Sequence, residues 1–126
     1  MAQLQVTVVE GRNFKKKDIF SENDAYVKIY LDEKSAKQKT KTKQNSNNPT
    51  WNQSFVFNHM NGQDTLHIDI YDKDTIKDEK IGSIEIDLQE LYLTNHIDDW
   101  FDIPDKLGFK IHGQIHLILD YDKLKI

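Results

Sequence analysis

Five aspartates in two separated stretches are the side chains of this chain that could do chemistry together. Asp72 and Asp74 stand two positions apart, and Asp78 follows after Thr75, Ile76 and Lys77, with Glu79 directly behind it. Much earlier, Asp18 and Asp24 bracket Ile19, Phe20, Ser21, Glu22 and Asn23. The four acids between 72 and 79 repel one another unless water screens them or a cation is held between them. A hard divalent cation such as calcium takes about six to eight oxygen ligands, mixing carboxylates, carbonyls and waters. Two acidic loops at one end of a sheet protein could supply that set. A carboxylate cage without Cys or His neighbours points to calcium rather than zinc. An EF-hand is excluded: counted from Asp72, Ile76 and Lys77 fall where an oxygen ligand and a glycine are required, and Ser83 where Glu is required.

The elements that must position these acids read as strands. Leu66, Ile68 and Ile70 alternate with His67, Asp69 and Tyr71, the period-two pattern of a half-buried strand. Asp72 keeps that phase, and so does Asp74 while the chain stays extended, so both carboxylates leave the strand end on one side. Leu4, Val6 and Val8 make an opening strand that ends at Glu10 and Gly11, followed by an irregular loop over 12–23. Val27, Ile29 and Leu31 form the buried face of a second strand, with Tyr26, Lys28 and Tyr30 on the other. Lysine then recurs at every second position, Lys37, Lys39, Lys41 and Lys43, which on a strand puts four ammonium groups on one face.

An Asn-rich turn ends at Asn48 and Pro49, and Trp51 opens a strand whose Phe55 and Phe57 face inward. Asn61 and Gly62 read as a turn, and the acidic strand and loop follow. Ile84, Ile86 and Leu88 carry the next strand, and residues 88–95 form a short helical turn. Trp100, Phe101 and Ile103 mark a seventh strand, 108–113 is hairpin-like, and Ile115, Leu117, Leu119 and Tyr121 close the chain. Eight short strands with no long helix predict an all-β protein, an eight-stranded antiparallel β-sandwich.

A chain of 126 residues, 37% of them hydrophobic, suits one domain spanning 1–126 with a two-layer core. With no cysteine, disulfides and thiolate metal sites are excluded, and a reducing cytosol is consistent. No apolar run approaches the roughly 20 residues of a membrane span, and no signal-peptide pattern precedes the first strand. Without a glycine at position 2 or any cysteine, the common lipid anchors are also missing, so membrane contact is expected to be peripheral. The net charge of −4 argues against nucleic acid as a partner.

With the strands laid out, the chain resembles a C2 domain over nearly its whole length. Three pieces carry the likeness. Asp24-Ala25-Tyr26-Val27-Lys28 is close to the family's S-D-P-Y-V-K. Asn48-Pro49-Thr50-Trp51-Asn52-Gln53-Ser54-Phe55-Val56-Phe57 is the second, with Gln53 in place of the usual Glu. Asp72-Lys73-Asp74 through Ile81 and Gly82 resembles D-x-D…D-D/E-x-I-G. The strand order looks like the family's phospholipase-type topology. The resemblance implies calcium-dependent docking onto anionic phospholipid membranes, phosphatidylserine or phosphoinositide, by a cytoplasmic protein recruited as a peripheral one. It implies Asp18, Asp24, Asp72, Asp74 and Asp78 as calcium ligands, with backbone carbonyls at Lys17 and Lys73. Glu79 competes with Asp78 for the last ligand position, and Asn45 is a candidate extra ligand.

The same likeness gives the basic row a rival to simple solubility. Lys28, Lys37, Lys39, Lys41 and Lys43 would form an anionic-lipid face, each contributing on the order of 1 kcal/mol near an anionic surface. Ile19, Phe20 and Ile76 sit at loop tips beside the expected ligands, with Lys17, Lys77 and Lys80 near, and are expected to insert at the membrane interface. The five histidines are scattered and carry no ligand role. Two further functions compete: a calcium-independent protein-interaction or scaffold module of the same fold, and a metal-dependent hydrolase. The hydrolase would need a nucleophile and general base beside the acids, and no Ser, Cys or His stands beside the acidic loops at a motif position. The expectation is a binding module, not an enzyme.

Overall fold

The computed structural model describes residues 2–15, 21–32, 37–105 and 107–123. Among the described residues, eight strands and one short helix follow in order: β1 Ala2–Arg12, β2 Ala25–Tyr30, β3 Gln38–Lys39, β4 Thr50–His59, β5 Thr65–Asp72, β6 Glu79–Asp87, α1 Gln89–Thr94, β7 His96–Pro104 and β8 Ile111–Asp122. They form two four-stranded antiparallel sheets, one ordered β4-β1-β8-β7 and the other β3-β2-β5-β6. The eight-stranded sandwich expected from the alternation is the architecture observed.

The alternating residues explain the layers. Leu4, Val6, Val8, Ile115, Leu117 and Leu119 are fully buried on one sheet, and Val27, Ile29, Leu66, Ile68 and Ile70 on the other. Period two puts each set on a single face, and the two faces close on each other to exclude water. Burial of each such side chain contributes about 1.5–3 kcal/mol. Where the chain crosses between sheets, α1 buries Leu91, and Asn95 ends it at φ 63° with its N–H donating to the Leu91 carbonyl. Gly82 packs against β7 of the other sheet, where a Cβ would lie 2.3 Å from Ile103 Cγ2.

Two irregularities decide where the functional side chains point. In β6, Ile70 pairs with Gly82 but Tyr71 pairs with Lys80, so Ile81 is an extra residue, a bulge that stays buried. It turns Glu79 into register opposite Asp72. The other lies on the lysine arm. Lys39 pairs with Lys28, yet Lys43 pairs with Ala25, one residue more on the lysine side than on β2. Between them Thr40 is buried, accepting the Val27 N–H on its hydroxyl at 3.0 Å and donating its own N–H to the Val27 carbonyl at 2.9 Å. The row expected to run through Lys43 is therefore broken: the regular strand is confined to Gln38–Lys39, and Lys43 lies opposite a core residue. A buried hydroxyl satisfying a strand N–H leaves no trace in the lysine periodicity.

A candidate calcium and membrane site

The acidic end is built where β2 begins and β5 stops. The Asp24 N–H donates to Asp72 Oδ1 at 2.8 Å, and the Lys73 N–H returns to the Asp24 carbonyl at 2.8 Å. That reciprocal pair extends the β2–β5 ladder by one step and locks the first acidic loop to the last. Asn45, from the Asn-rich turn, donates its N–H to Asp24 Oδ1 at 2.6 Å. Its own Oδ1 accepts the Glu22 N–H at 3.0 Å, so its side chain braces the loop. Asn23 is buried behind these groups, where its amide donates to the Lys15 carbonyl and to Asn47 Oδ1. Asn23 and Asn47 as braces were not legible in the sequence; the run of asparagines was their signal, read there only as a turn.

Burial pushes Asp72 above the usual carboxylate range; the Asp24 N–H opposes this, while the charges of Asp24, Glu79 and Asp74 add to it. Asp72 is thus held by backbone at a strand end within the fields of three other acids. Asp78 is placed differently. The Tyr26 hydroxyl donates to its Oδ2 at 2.5 Å and the Asp74 N–H to its Oδ1 at 2.9 Å, with Lys73 Nζ 3.9 Å away. Those two hydrogen bonds, then Lys73 and Lys28, hold its carboxyl below the ordinary range, and Tyr26 is correspondingly pushed up by burial and by Asp78. Asp78 is tied to the outer face of the sheet, while Glu79 stands opposite Asp72.

Asp18, Lys17, Ile19 and Phe20 lie outside the described residues. Among the described residues no three of His, Asp and Glu enclose an ion by themselves. The acids whose charges act on Asp72, namely Asp24, Glu79 and Asp74, carry oxygen donors only, and Asp72 is in a setting that a cation would relieve. The set fits calcium in chemistry.

The basic residues surround an aromatic outer face of β2 and β5. Tyr26 stacks on Tyr71 with centroids 5.5 Å apart, and Tyr30 on His67 at 4.8 Å. Both Tyr26 and Tyr30 are buried although they point away from the core, because lysines lie over them. Lys37 sits 4.4 Å from the Tyr30 ring, Lys28 4.8 Å from Tyr71, and Lys39 5.8 Å from Tyr26. Lys73 and Lys80 approach the same rings from the loop end. Lys41 is exposed, and its backbone rather than its charge is engaged, by Gln53 and Trp51. Ile76 is 95% exposed at the tip of the β5–β6 loop, with Lys77 exposed beside it. All five histidines have partners in packing or hydrogen bonding: His59 is held between Tyr92 and Tyr121, and His67, His96, His112 and His116 contact Glu85, Asp120, Ile81 and Asp98.

The chain is a two-sheet antiparallel β-sandwich in which two acidic loops are joined at one end. Comparison with known proteins makes the class specific: the C2 domain family model matches residues 2–103, and the chain belongs to the C2 domain family. Extended synaptotagmin-3 of Mus musculus is 32% identical over 124 residues, covering 94% of this chain and 13% of that protein. Synaptotagmin-1 of Caenorhabditis elegans is 36% identical, covering 94% of this chain and 29% of its own length. A calcium-dependent lipid-binding protein of Arabidopsis thaliana is 34% identical over 71% of this chain and 18% of its length. The chain therefore spans under a third of the length of these relatives. Among solved structures, the C2A domain of plant Extended Synaptotagmin 1 superposes with a TM-score of 0.86 at 27% identity, over 99% of this chain and 97% of that one. The calcium-bound C2A and C2B domains of Extended-Synaptotagmin 2 share the fold at 24% identity, with a TM-score of 0.84 over 95% of this chain and 45% of theirs. No helix among the described residues is long and apolar enough to cross a membrane.

Proposed function

We propose that this C2 domain is a calcium-dependent membrane-targeting module that binds anionic phospholipid, working on the cytoplasmic side as a peripheral domain and not as an enzyme. The observation that carries the reading is the Asp24–Asp72 clasp, which joins two distant acidic loops and leaves Asp72 within the fields of three carboxylates. Asp24, Asp72, Asp74 and Glu79 would hold calcium, with Asp18 from the first loop; the bound ion would supply positive charge and open coordination positions for lipid phosphate oxygens. Without it these residues repel anionic head groups. Lys28, Lys37 and Lys39 add a fixed positive field over the tyrosines, and Ile76 offers an apolar tip to the interface. The names of relatives such as the calcium-dependent lipid-binding protein of Arabidopsis thaliana agree with this reading.

Sedimentation with phosphatidylserine-containing vesicles tests it. Pelleting in calcium and release in chelator is the expected result. Equal pelleting in both conditions removes the calcium switch. A domain that never pellets, yet retains a protein partner through chelation, would be the scaffold module instead.

A further inference from the structure

The loop between β7 and β8 carries none of the acids of the candidate calcium site, yet it lies at the acidic end of the sandwich. Arg12, the last residue of β1, pairs with Gln114 near the start of β8, so β8 begins where the first acidic loop begins. The Lys15 N–H donates to the His112 carbonyl at 2.8 Å, and His112 Nδ1 lies 3.2 Å from the Ile81 carbonyl, just past the second acidic loop. This β7–β8 loop presents Leu107, 77% exposed, and Phe109, 84% exposed. Side chains of that size left in water are costly unless something covers them.

The loop is also built to hold its shape. Asp105 Oδ1 accepts the N–H groups of Leu107 and Phe109, each at 3.0 Å, and the Asp105 backbone closes on Lys110 and Gly108. Burial works against the Asp105 charge, but these backbone donors outweigh it and hold its carboxyl below the ordinary range. Asp105, the acid of the loop, is therefore spent inward on the backbone. Cations outnumber acids around the tips: Lys15, Lys80 and Lys110 line one cleft with Leu107 and Phe109, and Glu85 is the other acid in it beside Asp105.

We propose that the β7–β8 loop is a further membrane-insertion element, whose Leu107 and Phe109 enter the interface of an anionic bilayer while Lys15, Lys80 and Lys110 meet its head groups. This rests on the membrane reading above and adds a contact that the acidic loops do not supply. A bilayer is the occupant because it matches both parts of the patch: apolar tips wanting a hydrocarbon boundary, and a cationic collar wanting negative charge. Ile76, exposed on the β5–β6 loop, gives the proposed calcium-dependent contact an apolar tip of its own. A loop already ordered by Asp105 loses little conformational freedom on insertion.

The chain contains no cysteine, so single labels are unambiguous. The variants F109C, I76C and N58C, each carrying an environment-sensitive fluorophore, are mixed with phosphatidylcholine vesicles containing phosphatidylserine, in calcium. Asn58 is exposed on β4 at the far end of the sandwich and serves as the control. The expected result is brighter emission from F109C and I76C, quenched by bromine on the lipid chains, with N58C unchanged. In parallel, L107A/F109A should weaken vesicle partitioning about tenfold while calcium affinity without lipid stays as in the wild type. If vesicles bind and I76C responds while F109C stays solvated and the double variant binds normally, this proposal falls and the membrane reading stands. If no variant or wild type binds vesicles, both fall.

Discussion

The carboxylate of Asp72 accepts the Asp24 N–H at 2.8 Å and otherwise lies within the fields of Asp24, Glu79 and Asp74. Its pKa is raised in the folded chain, so the folded state holds this proton more tightly than the unfolded one does. Stability from this group is therefore greatest at low pH and is lost as pH rises through the raised value. Asp72→Asn keeps an oxygen for the Asp24 N–H and removes the charge. In chelator at neutral pH it should raise Tm by about 2–4 °C, read by calorimetry, and flatten the fall in stability above pH 4 or so. The same variant should lose the calcium-induced rise in Tm, because the charge that strains the free site is the one that would hold the ion. Glu79 and Asp78 separate on similar grounds. Asp78 is held by Tyr26 and the Asp74 N–H, whereas Glu79 is paired opposite Asp72. Calcium titration should show Glu79→Gln losing tenfold or so more affinity than Asp78→Asn, a difference of about 1.4 kcal/mol.

At the scale of elements, the bulge at Ile81 does the positioning, since it rotates Glu79 toward Asp72 and sets Gly82 against β7. A methyl at Gly82 would meet Ile103 Cγ2 at 2.3 Å and the Pro104 carbonyl at 3.2 Å, both part of a packed inter-sheet contact. Gly82→Ala should cost about 1–3 kcal/mol and lower Tm by roughly 5–10 °C, while calcium affinity of the remaining folded protein changes less than in Asp72→Asn. Alternation alone placed Leu4, Val6, Val8, Val27, Ile29, Leu66, Ile68 and Ile70 on the core faces, and all are buried. Period two speaks only for chain that stays in register, and it failed wherever register slips. The lysine row is cut by Thr40, whose hydroxyl takes the place of a ladder partner for Val27. Tyr26 and Tyr30, expected on the outward face, are outward yet buried, because ring stacking and overlying lysines cover them. Trp100 lies on the outer face between the Arg12 guanidinium, 3.8 Å away, and the His116 ring. Spacing marked Asp24, Asp72 and Asp74 in the sequence; the bracing roles of Asn23, Asn47 and Asn45, the last read there as a candidate ligand, were not legible, because their partners are set by loop conformation.

Across the whole molecule, charge is divided by position. Carboxylates crowd the loop end, lysines cover the aromatic face of β2 and β5, and the net charge is −4. An acidic protein approaching an anionic membrane is repelled at long range, so the proposed docking would depend on local sign reversal at the loops plus short-range contact by the lysines. Binding of calcium and of lipid at one edge must then be reciprocal: whatever factor lipid adds to calcium affinity, calcium adds to lipid affinity. Isothermal titration should therefore give tighter calcium binding with phosphatidylserine vesicles than without. In lipid-free solution, calcium at about a hundred times its dissociation constant should stabilise the fold by about 2.7 kcal/mol per independent site. Raising salt should weaken vesicle binding through the exposed lysines, yet leave the lipid-free calcium stabilisation comparatively intact, since the Asp24–Asp72 clasp is partly shielded from solvent. Equal calcium affinity with and without vesicles would break the linkage and leave the acidic edge a purely structural metal site.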